Sequence, residues 1–404
     1  MKYIVILGDG MADEAMPALN GKTPMEAAET PYMDALARLG SSGLLSTIPE
    51  GFAPGSEIAN MSLLGYDVRR DFEGRGSLEA ASMGVPLQSG EMAMRCNLIC
   101  VQEGKIKNHS AGHISNEEAA ELIHFLEKEL GDESIRFHVG VSYRHLLVFK
   151  GGNKQLACTP PHDVPGTPFQ KVLIRPLVDE AQQTADRLNA LIIRSQELLA
   201  QHPVNLKRIA AGKDPANSIW PWSPGYKPSM KTLMEKYPHI ESGSVISAVD
   251  LIKGIGIYAG LESIEVEGAT GLYDTNYEGK AQAAIEALRK KDFVFLHLEA
   301  SDEAGHEGDV DLKIRTIEYL DARIVAPIYK EVCTWDEPVR IAVLPDHPTY
   351  CRTKTHVNEP VPFLIYDANM QPDEVQTYDE RSAGKGRYGL LKADAFIHTF
   401  LNNQ

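Results

Sequence analysis

The chain opens on a run of apolar, β-favouring residues, Lys2 to Leu7, that stops at Gly8-Asp9-Gly10. A short apolar run closed by a turn signal predicts a buried strand that delivers Asp9 at its carboxyl end. Thr23-Pro24-Met25-Glu26 reads as a capping box with proline at the first helical position. Thr30-Pro31 repeats the signal before a helix with Met33, Leu36 and Leu39 on one face. Pro54-Gly55 favours a sharp turn, and the segment from Ser56 has room for about two helical turns before Gly65 stops it.

From about Gly90 the period changes. Glu91 to Val101 alternates, with Met92, Met94, Cys96, Leu98 and Cys100 on one side, and Phe137 to Phe149 alternates again, carrying Arg144 and His145. Between them Ser115-Asn116-Glu117-Glu118 caps a helix with Leu122, Ile123, Leu126 and Leu130 inward. Thr159 to Pro168 is a proline-rich loop, a helix spans about Leu177 to Leu199, and His202-Pro203 breaks it. Alternating strands and helices of this kind, set inside an α/β pattern, predict an inserted α+β cap domain over residues 91–204.

After residue 205 the α/β texture resumes. Val245 to Ile252 leads to Lys253-Gly254-Ile255-Gly256, whose glycines lack the fingerprint of a nucleotide loop. Gly279 to Leu288 supplies an alanine-rich helix, Phe293 to Leu298 a strand, and Ala300 to Asp309 a polar turn. The helix after it carries Leu312, Ile317, Leu320 and Ile324 and is capped by Asp309 or Asp311. The strand Val339 to Leu344 ends in Pro345-Asp346-His347-Pro348, and Lys354-Thr355-His356 precedes the strand Val361 to Tyr366. The fold class predicted is α/β, a doubly wound domain in two segments, 1–90 and 205–404, interrupted by the cap.

Length and charge narrow the function. At 404 residues the chain exceeds what one core supports. A formal net charge of -16 argues against a nucleic-acid partner, which needs concentrated positive charge. Apolar runs fall far short of the ~20 residues a membrane span needs. Five cysteines, odd in number and without zinc-type pairing, fit a reducing cytoplasm, with Cys96 and Cys100 as core residues.

Asp9, Asp302 with His306, and Asp346 with His347 each follow a predicted strand, while His356 just precedes one and Ser56 follows a tight turn at a helix start. Each motif alone has an ordinary explanation as a turn or a cap. In a doubly wound fold, however, carboxyl ends of parallel strands meet in one crevice, so these groups can converge from most of the chain. Three carboxylates and three imidazoles suit two manganese- or zinc-like cations better than calcium or magnesium alone. Two such ions ~4 Å apart clamp a phosphoryl group and lower the pKa of a bound hydroxyl, which makes Ser56 a candidate nucleophile.

In these residues the chain resembles the archaeal-type cofactor-independent phosphoglycerate mutases of the alkaline phosphatase superfamily. The resemblance rests on Ile6-Leu7-Gly8-Asp9-Gly10-Met11-Ala12-Asp13, Gly55-Ser56-Glu57-Ile58-Ala59-Asn60, Asp302-Glu303-Ala304-Gly305-His306, Asp346-His347, and the stretch from Thr355-His356 to Phe363. Within the cap, Asn108-His109-Ser110-Ala111-Gly112 and Tyr143-Arg144-His145 add to it. It implies an alkaline-phosphatase-like domain, no need for 2,3-bisphosphoglycerate, and a phosphoserine formed at Ser56. Asp302, His306 and His356 would hold one cation, manganese or zinc before magnesium or cobalt, and Asp9, Asp346, His347 and the Ser56 oxygen the other. Arg144 is the first expectation for gripping a phosphoglycerate, with Arg95, Asn108, His145 and Lys253 behind it. A homoserine kinase-like phosphotransferase or a phosphatase shares these motifs, and a scaffold without turnover leaves Ser56 without a purpose.

Overall fold

The computed structural model describes residues 1–402 and divides into two compact units. The first comprises Met1–Phe72 and the segment from Ser229 onward. Its centre is an eight-stranded sheet in the order Glu262–Ser263, Gly243–Ile246, Phe293–Leu298, Lys2–Gly8, Val339–Leu344, Val361–Tyr366, Ser41–Ser46, Leu390–Lys392. All run one way except Val361–Tyr366, which is antiparallel to both neighbours. The central strands Lys2–Gly8, Phe293–Leu298 and Val339–Leu344 are covered on both faces, so they read as unbroken apolar runs rather than alternating ones.

This topology sets the position of the chemistry. Gly8 is in register with Leu298, and Leu7 with Leu344, so Asp9, Glu299 and the Pro345-Asp346 turn leave adjacent strands at nearly the same level. Because Val361–Tyr366 runs the other way, the residues before it, including His356, come to that same end of the sheet.

The second unit, Glu73–Pro228, holds a five-stranded antiparallel sheet. Glu91–Gln102 is its hub, pairing with Lys105–Asn108, Arg144–Lys150 and Ser218–Tyr226. Helices Asn116–Leu130 and Gln182–Leu199 add Leu122, Ile123, Leu126, Leu188 and Ile192 to its core. The seams fall at residues 72/73 and 228/229 rather than at 90/91 and 204/205. Helix Arg75–Ser82 packs on Glu91–Gln102, and Ser218–Tyr226 is hydrogen-bonded into the sheet beside it.

Three local expectations change. The alternating run from Phe137 to Phe149 is two strands, Ile135–Val141 and Arg144–Lys150, joined at Ser142, which takes φ 54. Ala300 to Asp309 is mostly helix, Ala300–Glu307, stopped by Gly308 at φ 73, and Asp309 then caps Val310–Leu320 by accepting from Leu312 N at 2.9 Å. Lys253, Gly254 and Gly256 lie within helix Asp250–Tyr258, where a Cβ on Gly256 would stand 2.5 Å from Val245, so that glycine serves helix–strand packing. Among the described residues no helix is long and apolar enough to cross a membrane.

Candidate metal centre

Asp9 follows its strand directly, its amide donating to the Leu298 carbonyl at 2.8 Å and its carbonyl accepting from Ser301 Oγ at 2.5 Å. Gly10 turns the chain away at φ +61, and a Cβ there would come within 2.6 Å of Asp302 Oδ1 and Thr349 Oγ1, so only glycine fits. Asp346 is held by neutral donors: Gly10 N at 3.2 Å, Asn60 Nδ2 at 2.9 Å and His347 N at 2.9 Å. Asn60 also donates to the Ser56 carbonyl at 2.9 Å, which ties the Ser56 helix to Asp346.

Ser56 is the first residue of helix Ser56–Leu63, and Gly55, not Ser56, occupies the cap position. The hydroxyl is thereby free of the capping bond that a helix-start serine usually makes. It lies 3.2 Å from His347 Nε2 and 3.5 Å from Asp9 Oδ2. His347 Nε2 is in turn 3.5 Å from Asp9 Oδ1 and 3.6 Å from Asp346 Oδ2.

A second group adjoins the first. His306 Nε2 is 3.2 Å from Asp302 Oδ2 and 2.9 Å from His356 Nε2, and His356 Nε2 is 3.4 Å from Asp302 Oδ1. Asp302 and His306 are one turn apart on one helix face, the consequence of the helix that replaces the expected turn. His306 Nδ1 donates to the Lys354 carbonyl at 3.0 Å, which directs Nε2 at the cluster. The His347 and His356 rings stack at 4.0 Å and join the two groups. The structure therefore brings together every ligand expected from the sequence: Asp9, Ser56, Asp302, His306, Asp346, His347 and His356.

The electrostatics are those of crowded carboxylates. Burial, then the neighbouring Asp346, Glu299 and Asp302, hold the Asp9 carboxyl well above the usual range. Burial, then Asp302, pushes Glu299 up to about 8. For Asp302 burial works upward, but hydrogen bonds from His306 and His356 outweigh it and hold the group low. The hydrogen bond to Asp302 lifts His306 to about 9. Burial lowers His347.

A model of the 2,3-bisphosphoglycerate-independent phosphoglycerate mutase family matches residues 37–205. A phosphoglycerate mutase of that description from Methanosarcina barkeri is 52% identical over 399 residues, covering 98% of both chains. The chain belongs to this family. A probable member from Geobacter sulfurreducens is 47% identical over 98% of both chains. A solved protein from Pyrococcus horikoshii superposes with a TM-score of 0.83 at 30% identity, covering 99% of this chain and 96% of that one. The cofactor-independent phosphoglycerate mutase of Thermoplasma acidophilum gives 0.70 at 26% identity over 99% of both. These mutases are isomerases, and membership implies divalent-cation use.

The residues present fit that implication. Asp9 Oδ1 is buried without a hydrogen-bond partner. Ligand atoms of Asp9, Asp346 and His347 lie within 4.8 Å of one another, as do those of Asp302, His347 and His356. Carboxylates and imidazoles at such spacing are a donor set for divalent transition metals.

The other expected contacts are placed less uniformly. Arg144 opens its strand as an exposed residue. Arg95 is 3.0 Å from Glu79 and stacks 4.4 Å over the Trp222 ring. Asn108 accepts from Ser110 N and Gly112 N and donates to Asp214, so it builds a turn. His145 is a core residue, its Nδ1 accepting from Gly140 N at 3.0 Å and its pKa lowered to about 3 by burial. Lys253 is 2.7 Å from both Glu265 oxygens. Sequence reasoning missed His297, Glu299 and Thr349. His297 Nε2 is 3.0 Å from Asp9 Oδ2, and Thr349 Oγ1 donates to Asp302 and lies 3.3 Å from His347 Nδ1. The available signal for His297 was an imidazole inside an otherwise apolar central strand.

Proposed function

We propose that this protein interconverts 3-phosphoglycerate and 2-phosphoglycerate through a phosphoserine at Ser56, without 2,3-bisphosphoglycerate. The observation that carries the proposal is the Ser56 hydroxyl: released from capping, 3.2 Å from His347 and 3.5 Å from Asp9, at the amino end of a helix whose dipole favours negative charge. Asp302, His306 and His356 would hold one cation and Asp9, Asp346, His347 and Ser56 the other, manganese or zinc by donor type. Such cations neutralise phosphoryl oxygens and lower the pKa of a coordinated hydroxyl.

The chain's own groups supply the rest. The Ser56 hydroxyl faces Asp9 Oδ2, so its proton leaves on the carboxylate side. The oxygen then bonds to phosphorus as the bond to the 3-oxygen of the substrate breaks, and that oxygen takes a proton and becomes glycerate hydroxyl. On return the 2-hydroxyl gives up its proton, bonds to phosphorus, and the Ser56 hydroxyl is restored, so protons balance over the cycle. Asn60, bonded to both the Ser56 carbonyl and Asp346, fixes the nucleophile. Arg144 is the proposed grip on the glycerate carboxylate, because a guanidinium fork binds an oxyanion through two hydrogen bonds. Five free cysteines fit the cytoplasmic setting we propose.

Phosphorus NMR of 3-phosphoglycerate with the manganese-loaded protein tests the reading. Appearance of 2-phosphoglycerate supports it. Free phosphate instead identifies a hydrolase, and turnover only with ATP and homoserine identifies the kinase.

A further inference from the structure

One hydroxyl touches both groups of expected cation ligands. Thr349 Oγ1 donates to Asp302 Oδ1, which stands with His306 and His356, and lies 3.3 Å from Nδ1 of His347, which stands with Asp9 and Asp346. A hydroxyl has one hydrogen and two lone pairs. Its hydrogen is spent on the Asp302 carboxylate, so toward His347 it can only accept, and Nδ1 must carry a ring proton. Among the described residues Nδ1 has no other hydrogen-bond partner. The neutral ring then keeps its Nε2 lone pair, which faces Ser56 Oγ at 3.2 Å, Asp9 Oδ1 at 3.5 Å and Asp346 Oδ2 at 3.6 Å. That is the tautomer a ligand nitrogen at Nε2 requires.

The fold makes room for this side chain and pins it. Thr349 is wholly buried. Its amide donates to Ala12 O at 3.2 Å and its carbonyl accepts from Lys313 Nζ at 2.6 Å, so its backbone is held on both sides. A Cβ on Gly10 would stand 2.6 Å from Thr349 Oγ1, and one on Gly305 2.7 Å from Thr349 Cγ2. Two glycines in separate segments therefore leave the space that it fills. Valine would fill the same space, and what threonine adds is a donor to one ligand and an acceptor for the other.

We propose that Thr349 is a positioning residue for the phosphoryl transfer, its single hydroxyl orienting Asp302 and fixing the Nδ1–H tautomer of His347 at the same time. It acts through those two ligands rather than on the reacting atoms. Partners of this kind set the direction and basicity of a metal ligand, and their loss typically weakens metal binding roughly 10- to 100-fold. Because one hydroxyl serves a ligand in each set, its removal is expected to weaken both cations together.

The inference rests on the two-cation reading, and a measurement without metal separates the two. In the metal-free full chain, in mildly alkaline buffer, the His347 tautomer is read by ¹⁵N NMR of labelled histidines and assigned by loss of its signals in His347→Asn. The expected result is Nδ1–H in the wild type and in Thr349→Ser, with that preference lost in Thr349→Val. Titration with Mn²⁺ should then show both ions weakened roughly 10- to 100-fold in Thr349→Val and near wild-type affinity in Thr349→Ser. An Nε2–H tautomer in the wild type overturns the proposal, as does a Thr349→Val protein with unchanged tautomer and affinity. Weakening of one ion alone contradicts the shared role, and equal weakening in both variants assigns the effect to packing and overturns it too. A wild type that binds fewer than two ions overturns the two-cation reading, while the tautomers still decide the role of Thr349. Should Thr349→Val fail to fold, the wild-type and Thr349→Ser tautomers decide it.

Discussion

Within the first unit, buried charge is handled in two opposite ways a few residues apart. Lys313 Nζ, fully buried, donates to Asp13 Oδ2 at 2.9 Å, Ala12 O at 3.1 Å and Thr349 O at 2.6 Å, using all its hydrogens. Arg340 likewise spends its guanidinium on Asp367 Oδ2 at 2.9 and 2.6 Å and on Phe400 O at 2.7 Å. Asp9, Asp302 and Asp346 are as deeply buried, yet they meet only imidazoles, hydroxyls, amides and one another. Where a buried carboxylate serves the architecture, the chain brings its own cation. Where it serves chemistry, the chain sets only titratable imidazoles against it, of which His306 is lifted to about 9 by Asp302.

The largest effect that can break this contrast is on turnover. Ser56→Ala removes the nucleophile and is expected to lower kcat by at least about 10³-fold, with manganese content near that of the wild type. A variant that retains most of its rate contradicts the phosphoserine route. The next effect is on folding. Asp367→Asn leaves Arg340 buried without its partner and is expected to cost about 3–5 kcal/mol in urea unfolding. Asp9→Asn, measured without metal, relieves repulsion and should leave stability unchanged or raise it. Equal losses in the two variants contradict the distinction. Saturating manganese should then stabilise the wild type, by about 2.7 kcal/mol for one site at a hundredfold excess over Kd, and Asp346→Asn distinctly less, as read by melting temperature.

The smallest effect comes from an intermediate case. Glu380 accepts only from neutral donors, Thr23 Oγ1 at 2.7 Å and Asp13 N at 3.1 Å, and burial pushes it up to about 7 from its ordinary 4.5. A raised carboxyl favours the folded state while protonated there. Its contribution is complete below pH 4.5 and is lost as pH rises through about 7. Relative to Glu380→Gln, the wild type should lose on the order of 1–3 kcal/mol across that window. A parallel pH dependence in the two proteins contradicts the assignment.

What was legible in the sequence follows the same division. Asp9, Asp302, His306, Asp346 and His347 stood just after apolar runs whose direction is set by parallel pairing, so their convergence could be reasoned from strand ends alone, whereas His356 precedes its run and reaches the same end because Val361–Tyr366 is antiparallel. His297 and Glu299 were illegible because one sits inside the apolar run and the other at its first step out, where a polar residue reads as the end of a strand. Helix Ala300–Glu307 was missed because Ala300, Ser301, Ala304 and Gly305 are small and polar enough to resemble a turn, while their smallness is what permits close packing: a Cβ on Gly305 would stand 2.7 Å from Thr349. In the second unit Asn108 and His145 carried the right residue types, but hydrogen bonds to their own turns and burial in the core occupy them, and neither is visible in spacing.

The central claim is that the unpaired carboxylates surround a serine that carries the phosphoryl group between the two transfers. Manganese-loaded protein mixed with 3-phosphoglycerate, quenched in acid within one turnover and digested, can be read by mass spectrometry at the peptide containing Ser56. The account predicts one phosphoryl group on Ser56, absent when the cations are chelated first. Product formed with Ser56 unmodified at every quench time, or a phosphoryl group on another residue, contradicts it.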